Sequence, residues 1–207
     1  MISVIIPVSK EDFRNGLISK IENSLNKSKC SEEFEMVLVI NSYLYGRVRA
    51  KNYGASKAKG ETLVFLDCDC EVSDNLLQEI SDKSKNDFFV GGGVKYVKLS
   101  RYSPGILCGM FILGLYLLIH QITIGAFWIR KTDFNRLNGF RHTVYDDIDF
   151  ALRLKSLAKQ TGRKFESLKN SSIIWSTRKF DEYGDWHWIM GYRACNFQET
   201  TSHMMIS

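Results

Sequence analysis

Short apolar runs alternate with helical patterns along the first hundred positions, and this alternation sets the expected architecture. Ile2-Ser-Val-Ile-Ile-Pro-Val8 reads as an opening strand that Pro7 ends. Leu17, Ile18, Ile21 and Leu25 recur at helical spacing, and Phe34 to Ile40 forms a second buried strand. Asn41-Ser-Tyr-Leu-Tyr-Gly46 reads as a loop, followed by a basic helix from about Arg49 to Lys59 that Gly60 terminates. Phe65 lies in a third strand, Leu76 to Ser84 suit a helix, and Phe88 to Val97 form a strand carrying Gly91-Gly92-Gly93. Strand, helix, strand, loop, helix, strand is the build of a nucleotide-binding α/β half. A mostly parallel central sheet flanked by helices is therefore expected.

The pattern changes at Gly105, where Gly-Ile-Leu-Cys-Gly-Met-Phe-Ile-Leu-Gly-Leu-Tyr-Leu-Leu-Ile119 is almost wholly apolar. A transmembrane helix needs about 20 apolar residues, so this run is short for spanning. Two readings stay open: a core helix at a subunit or domain contact, and a helix lying in a membrane interface. Lys95, Lys98 and Arg101, just ahead, suit anionic headgroups. If Ile122 to Ile129 continues the run, a tilted or re-entrant insertion follows. The expected divisions are 1–97, the nucleotide-binding half; 98–124, the apolar segment; 125–180, a second half; and 181–207, a helical tail.

Composition narrows the partners. A chain of 207 residues, 44% hydrophobic and 25% charged, has globular values, and its 13% aromatic content suits a substrate cleft or an apolar surface. The formal charge of +5 suits a diphosphate or an anionic membrane, but the basic residues are scattered, so nucleic acid is not an expected partner. Five cysteines, an odd number, in a chain that opens directly on strand residues argue for a reducing, cytoplasmic compartment and free thiols. Cys68 and Cys70 have no second ligand pair beside them, so zinc is not expected.

Two acidic clusters carry the candidate chemistry. The third strand runs straight into Asp67-Cys68-Asp69. Alternate residues of an extended chain share a direction, so both carboxylates could reach one divalent cation just past a strand end. Eighty positions later, Asp146-Asp147-Ile148-Asp149 precedes Phe150, Leu154 and Leu157, a helix face, which puts the acids in its first turn. Gly125-Ala-Phe-Trp-Ile-Arg-Lys131, then Phe134, Leu137 and Asn138-Gly139-Phe140, read as a strand, a short helix and a glycine turn that deliver the pair. Arg153, at helical spacing from Asp149, reads as a salt-bridge partner.

Together these residues resemble the family 2 glycosyltransferases of GT-A fold. The resemblance is carried by Val4-Ile-Ile-Pro-Val8, Arg49-Ala50-Lys51-Asn52-Tyr53-Gly54 with Ala58 and Gly60, Asp67-Cys68-Asp69, Gly125 to Arg130, Gly139-Phe140, Asp146-Asp147 and Arg178, over roughly Ile2 to Phe180. It implies an inverting transfer from a nucleotide-diphospho-sugar to an acceptor hydroxyl, with Mg²⁺ or Mn²⁺ as cofactor. Asp147 would be the catalytic base. Asp69 would be the direct metal ligand, with Asp67 nearer the ribose or a metal-bound water. Pro7, Asn41, Arg49, Asn52 and Arg178 would line the donor, and Asp146, Gly125 and His142 the acceptor, a sugar or a lipid-linked one. Arg49 and Lys51, with Lys57 and Lys59, also read as an ordinary solvated basic helix. Tyr183, Trp186 and Trp188 read as a sugar or lipid platform, or equally as core or membrane-interface anchors.

The chain departs from that family where Asn41-Ser42-Tyr43 replaces an acidic base-reading loop, and where Asp146 stands for the more frequent Glu. Two other classes remain. A haloacid-dehalogenase-like phosphohydrolase would use Asp67 as nucleophile, although Cys70-Glu71 replaces the expected Gly-Thr. A non-catalytic sugar-nucleotide-binding module would suit the missing loop acid. A nicotinamide oxidoreductase is disfavoured, since no Gly-X-Gly-X-X-Gly follows the first strand.

Overall fold

The computed structural model describes residues 1–41 and 46–186. Ser42 and Tyr43 of the expected base-reading loop, Trp188, and the tail from 187 onward lie outside the described residues, as does the side chain of Asn41. The elements are β1 (Ile2–Ser9), α1 (Lys10–Arg14), α2 (Ile18–Asn26), β2 (Phe34–Asn41), α3 (Gly46–Lys57), β3 (Thr62–Phe65), β4 (Glu71–Val72), α4 (Leu76–Ser84), β5 (Phe89–Leu99), α5 (Pro104–His120), β6 (Phe127–Arg130), α6 (Lys131–Arg136), α7 (Asp146–Gln160), β7 (Lys164–Trp175) and α8 (Arg178–Tyr183). The described residues form two compact units, one of residues 1–98 with 121–175, the other of residues 99–120 with 176–186.

In the first unit the described strands make one sheet in the order β2-β1-β3-β6-β5-β7-β4. Helical crossovers return the chain to the same end of the sheet each time, so β1 runs parallel to β2 and to β3, which flank it. The β3–β6, β5–β6 and β4–β7 pairs are antiparallel. The sheet is thus mixed, parallel at β2-β1-β3 and antiparallel where β6 joins β3 and β5. An apolar run such as Thr62–Phe65 reports burial on both faces but not direction, which is set by its partner Phe127–Arg130, some 60 positions away.

Both faces of β1 are covered, which is why its burial lacks alternation. Ile2, Val4, Ile6 and Val8 pack with Ile21 and Leu25 of α2, Leu76, Leu77 and Ile80 of α4, and Trp128. Elsewhere in this unit Phe65, Phe127, Phe134, Phe140 and Phe150 form an aromatic cluster, with Phe140 stacked on Phe150 at 4.0 Å. Each such side chain, fully buried, contributes roughly 1.5–3 kcal/mol. β1 continues past Pro7 to Ser9, whose hydroxyl accepts from the Asp12 backbone N–H at 2.9 Å and caps α1. Pro7 is tolerated inside the strand because β3 pairs only as far as Ile5; beyond it β1 keeps β2 as its partner on the other side. Gly92 is required by close approach: a Cβ there would lie 1.6 Å from the Glu166 carbonyl oxygen of β7.

The second unit holds α5 and α8. Arg101 binds Asp185 through two guanidinium nitrogens at 2.6 and 3.2 Å and Asp181 at 2.7 Å. The Ser100 and Thr177 hydroxyls meet at 2.9 Å. Arg101 is therefore committed to its own unit and is not a spare charge for headgroups. α5 ends at His120, and Gln121 adopts a left-handed φ of 49° that stops the helix. Ile122 and Ile124 are buried and lead into β6, so the apolar segment does not run on to residue 129. No helix among the described residues is long and apolar enough to cross a membrane. On α5, Phe111, Leu118 and Ile119 are 67%, 72% and 76% exposed among the described residues.

Candidate active site

The pocket is built where β3 stops. Leu66 still donates its N–H to the Ile5 carbonyl at 3.1 Å, and the chain then turns over Asp67–Cys70, with the Cys70 thiol on the Asp67 carbonyl at 3.1 Å. Cys68 and Cys70 enter the core, leaving Asp67 and Asp69 half-buried outside it. The two acids are thus carried on a turn and not on an extended strand, because the cysteines take the buried positions. Burial, and then the charges of Asp67 and Asp69, hold the Cys70 thiol well above its ordinary pKa. The four described cysteines are free.

Asp67 shares a pocket with Asp147, Lys51, Cys70, Gly125, Ala126, Phe127, Ile173 and Trp175. Gly125 (φ 78°) and Ala126 (φ 44°) are both left-handed, and a Cβ on Gly125 would lie 2.8 Å from Ile173 Cδ1, so glycine is needed to open this wall. Asp146 and Asp147 open α7 as the spacing requires, with Phe150 and Leu154 on its buried face. Tyr145, the cap residue, makes no side-chain cap bond there, so acidic side chains balance the helix dipole. Arg153 pairs with Asp149 at 2.7 Å, as its spacing predicts.

The acids do not stand alone. Lys51 of α3, 3% exposed, donates to Asp147 at 2.7 Å and Asp146 at 3.4 Å, and its ammonium lies 4.5 Å from the Phe140 ring centre. Arg47, one turn earlier, binds Asp146 at 2.6 Å and approaches Asp147 at 4.0 Å. Burial lowers the pKa of Lys51, but the charges of Asp147, Asp67 and Asp146 outweigh it and leave the group above its ordinary value and charged. Arg47 is likewise raised, against burial, by Asp67, Asp147 and Asp146. A buried ion pair of this kind is weak evidence for stability, yet removing one partner costs about 3–5 kcal/mol.

The donor-side candidates are spread over α3, β1, β2 and α8. α3 begins at Gly46, not at Arg49. Arg49 is exposed, two residues off the face that Arg47 and Lys51 share. Asn52 is engaged by the protein itself: it donates to the Phe140 carbonyl and accepts from the Phe140 N–H, both at 2.9 Å, and so clamps the loop before α7. Lys51 is buried and not part of a solvated basic face. The signal that identifies it is the spacing Val48, Lys51, Ala55, Ala58, an inward stripe in which the lysine occupies an apolar position. Pro7 is buried within β1, Asn41 ends β2, and exposed His142 approaches Gly46 at the start of α3. Arg178 opens α8 in the second unit.

A metal ion fits the donor chemistry here only with a co-ligand. Asp67 and Asp69 are hard oxygen donors, and Mg²⁺ or Mn²⁺ is held by one or two carboxylates together with substrate phosphates. Among the described residues no group of three or more His, Cys, Asp or Glu could hold a metal ion.

The third strand thus ends at carboxylates, and Asp147 of the second acidic pair lines the same pocket as Asp67. Residues 27–162 match glycosyl transferase family 2, and the chain belongs to that family. Residues 1–349 of S. aureus TarS, in complex with UDP-GlcNAc, share the fold with a TM-score of 0.57 and 16% identity over 86% of this chain and 58% of that one. Mannosyltransferase PcManGT from Pyrobaculum calidifontis, in complex with GDP-Man and Mn²⁺, gives 0.59 and 13% over 84% and 56%. The chain spans a little over half the length of these two structures.

Proposed function

We propose that this protein transfers a sugar from a nucleotide-diphospho-sugar to an acceptor hydroxyl with inversion at the anomeric carbon. The observation that carries the reading is that Asp67, at the end of β3, and Asp147, at the start of α7, line one pocket. Asp147 takes the proton of the attacking hydroxyl as general base. Asp67 and Asp69 would hold Mg²⁺ or Mn²⁺ together with the donor diphosphate. When bound, the ion supplies Lewis-acid charge that balances the departing nucleoside diphosphate, so no protein acid is needed. Asp146, tied to Arg47 and Lys51, orients its neighbour, and Gly125 opens the wall for the acceptor. The base and sugar of the donor are read from binding: calorimetry with UDP, GDP, CDP and dTDP, each with Mn²⁺, Mg²⁺ or chelator, should show metal-dependent binding of one of them, lost in Asp69→Ala. Absence of binding by all four in folded protein would sink the reading.

The acceptor side is supported by α5. Ile106 and Gly109 of α5 are buried, while Leu107, Phe111, Leu115 and Leu118 form an exposed stripe that is equally apolar. This favours a protein seated peripherally on the cytoplasmic face of a membrane, acting on a lipid-linked acceptor. Co-flotation with liposomes, reduced in Leu118→Lys/Ile119→Glu, tests it; wild-type protein that stays at the bottom of the gradient refutes it.

A further inference from the structure

We infer that Lys51 is a positioning residue of the transfer reaction: its ammonium fixes the direction in which the Asp147 carboxylate points. The inference rests on the assignment of Asp147 as base and gives a role to Lys51, which the family resemblance leaves without one. Three contacts set the ammonium before any ligand arrives. The Phe140 ring lies beneath it at 4.5 Å, Asp147 Oδ1 accepts from it at 2.7 Å, and Asp146 Oδ2 lies at 3.4 Å. Each partner is itself held. Phe140 is clamped by the two Asn52 hydrogen bonds and stacked on Phe150, and Asp146 is tied to Arg47. The chain of contacts runs from α3 through the loop before α7 and ends on the carboxylate that must accept a proton.

A lysine at 3% exposure is costly to bury unless it is paired, and a positively charged group adjoining both Asp147 and the Asp67 pocket does more than neutralise a helix start. A base displaced by about 1 Å loses on the order of 100-fold in rate. Arginine shares the charge of lysine but not its point geometry, so Lys51→Arg should restore part of the effect, and Lys51→Met none.

The test reads release of nucleoside diphosphate from UDP-GlcNAc or GDP-mannose, with Mn²⁺ and with water as acceptor. Lys51→Met should lower kcat about 100-fold while nucleoside diphosphate binding by calorimetry stays within about threefold, and Lys51→Arg should recover about tenfold of the loss. In an Asp147→Asn background Lys51→Met should add nothing, because it acts through the residue already removed. A tenfold loss of diphosphate binding, or an equal further drop in that background, would overturn the inference and make Lys51 a donor ligand or a purely structural group. If Asp147→Asn turns over donor like wild type, the base assignment falls as well; if Asp147→Asn is inactive and Lys51→Met is normal, only the role of Lys51 falls. Should turnover be too slow or Lys51→Met fail to fold, crystal structures of wild type, Lys51→Arg and Lys51→Gln decide. A turned Asp147 in the glutamine variant supports the inference, and an unmoved one refutes it.

Discussion

Helices α3 and α5 invert the ordinary relation between polarity and burial, in opposite senses. α3 is rich in glycine and basic residues, yet it turns Lys51 inward beneath 3% exposure. α5 has no charged residue from Pro104 to Ile119, yet it leaves Phe111, Leu118 and Ile119 largely in the open. A buried charge is tolerated where fixed carboxylates meet it, and an exposed apolar face is tolerated where something other than water is its working environment. Neither arrangement is the cheapest for stability. Under the proposed function the first meets a charged donor and the second an apolar surface.

The sharpest way to break the α3 side of that contrast is at the base. Asp147→Asn should lower sugar transfer by about 10²–10⁴-fold with folding retained, measured as product formed per enzyme. A phosphohydrolase that used Asp67 as nucleophile would barely respond to this change. Asp69→Ala should next cost metal-dependent diphosphate binding on the order of 100-fold by calorimetry, without affecting metal-free binding. On the α5 side, Leu118→Lys/Ile119→Glu should cut liposome co-flotation about tenfold or more while leaving donor hydrolysis unchanged, which would separate the two helices cleanly.

Smaller effects sharpen the supports. Asn52→Ala removes both hydrogen bonds to Phe140 and should cost about 1–3 kcal/mol in denaturant unfolding. The smallest effect expected is on the second unit. Asp185 is held below the usual carboxylate range, first by its hydrogen bond from Arg101 and then by that from Ser103. A depressed carboxylate stabilises the fold above its unfolded pKa and stops doing so as pH falls through its folded one. Hydrogen exchange in residues 99–120 should accordingly rise below about pH 4, and Arg101→Ala should remove that dependence.

Element positions were largely legible because periodicity reports burial. Leu76 to Ser84 and the α7 face of Phe150 and Leu154 lie where their spacing places them. The β1, β2 and β5 strands agree to within a residue or two at their ends. The family membership was legible as well, since it rests on short motifs in a fixed order. Strand direction was not, because Phe127–Arg130 reads as the same apolar run whichever way it lies against Thr62–Phe65. The surroundings of the acids were hidden for the same reason: Lys51 and Arg47 meet Asp146 and Asp147 across nearly a hundred positions, a separation that no local pattern encodes.

By itself, then, the sequence determined which strands and helix faces are buried, where Asp67, Asp69, Asp146 and Asp147 stand on strand end and helix start, and that residues 105–119 are almost wholly apolar. Only tertiary structure decided that β6 runs antiparallel to β3 and β5, that Asn52 bonds Phe140, that Lys51 is paired with Asp147, and that Phe111, Leu118 and Ile119 of α5 are exposed. The physical reason is range. Periodicity, caps and turns act over a few residues, while ion pairing, sheet register and the cover over an apolar face depend on which distant segments the folded chain brings together.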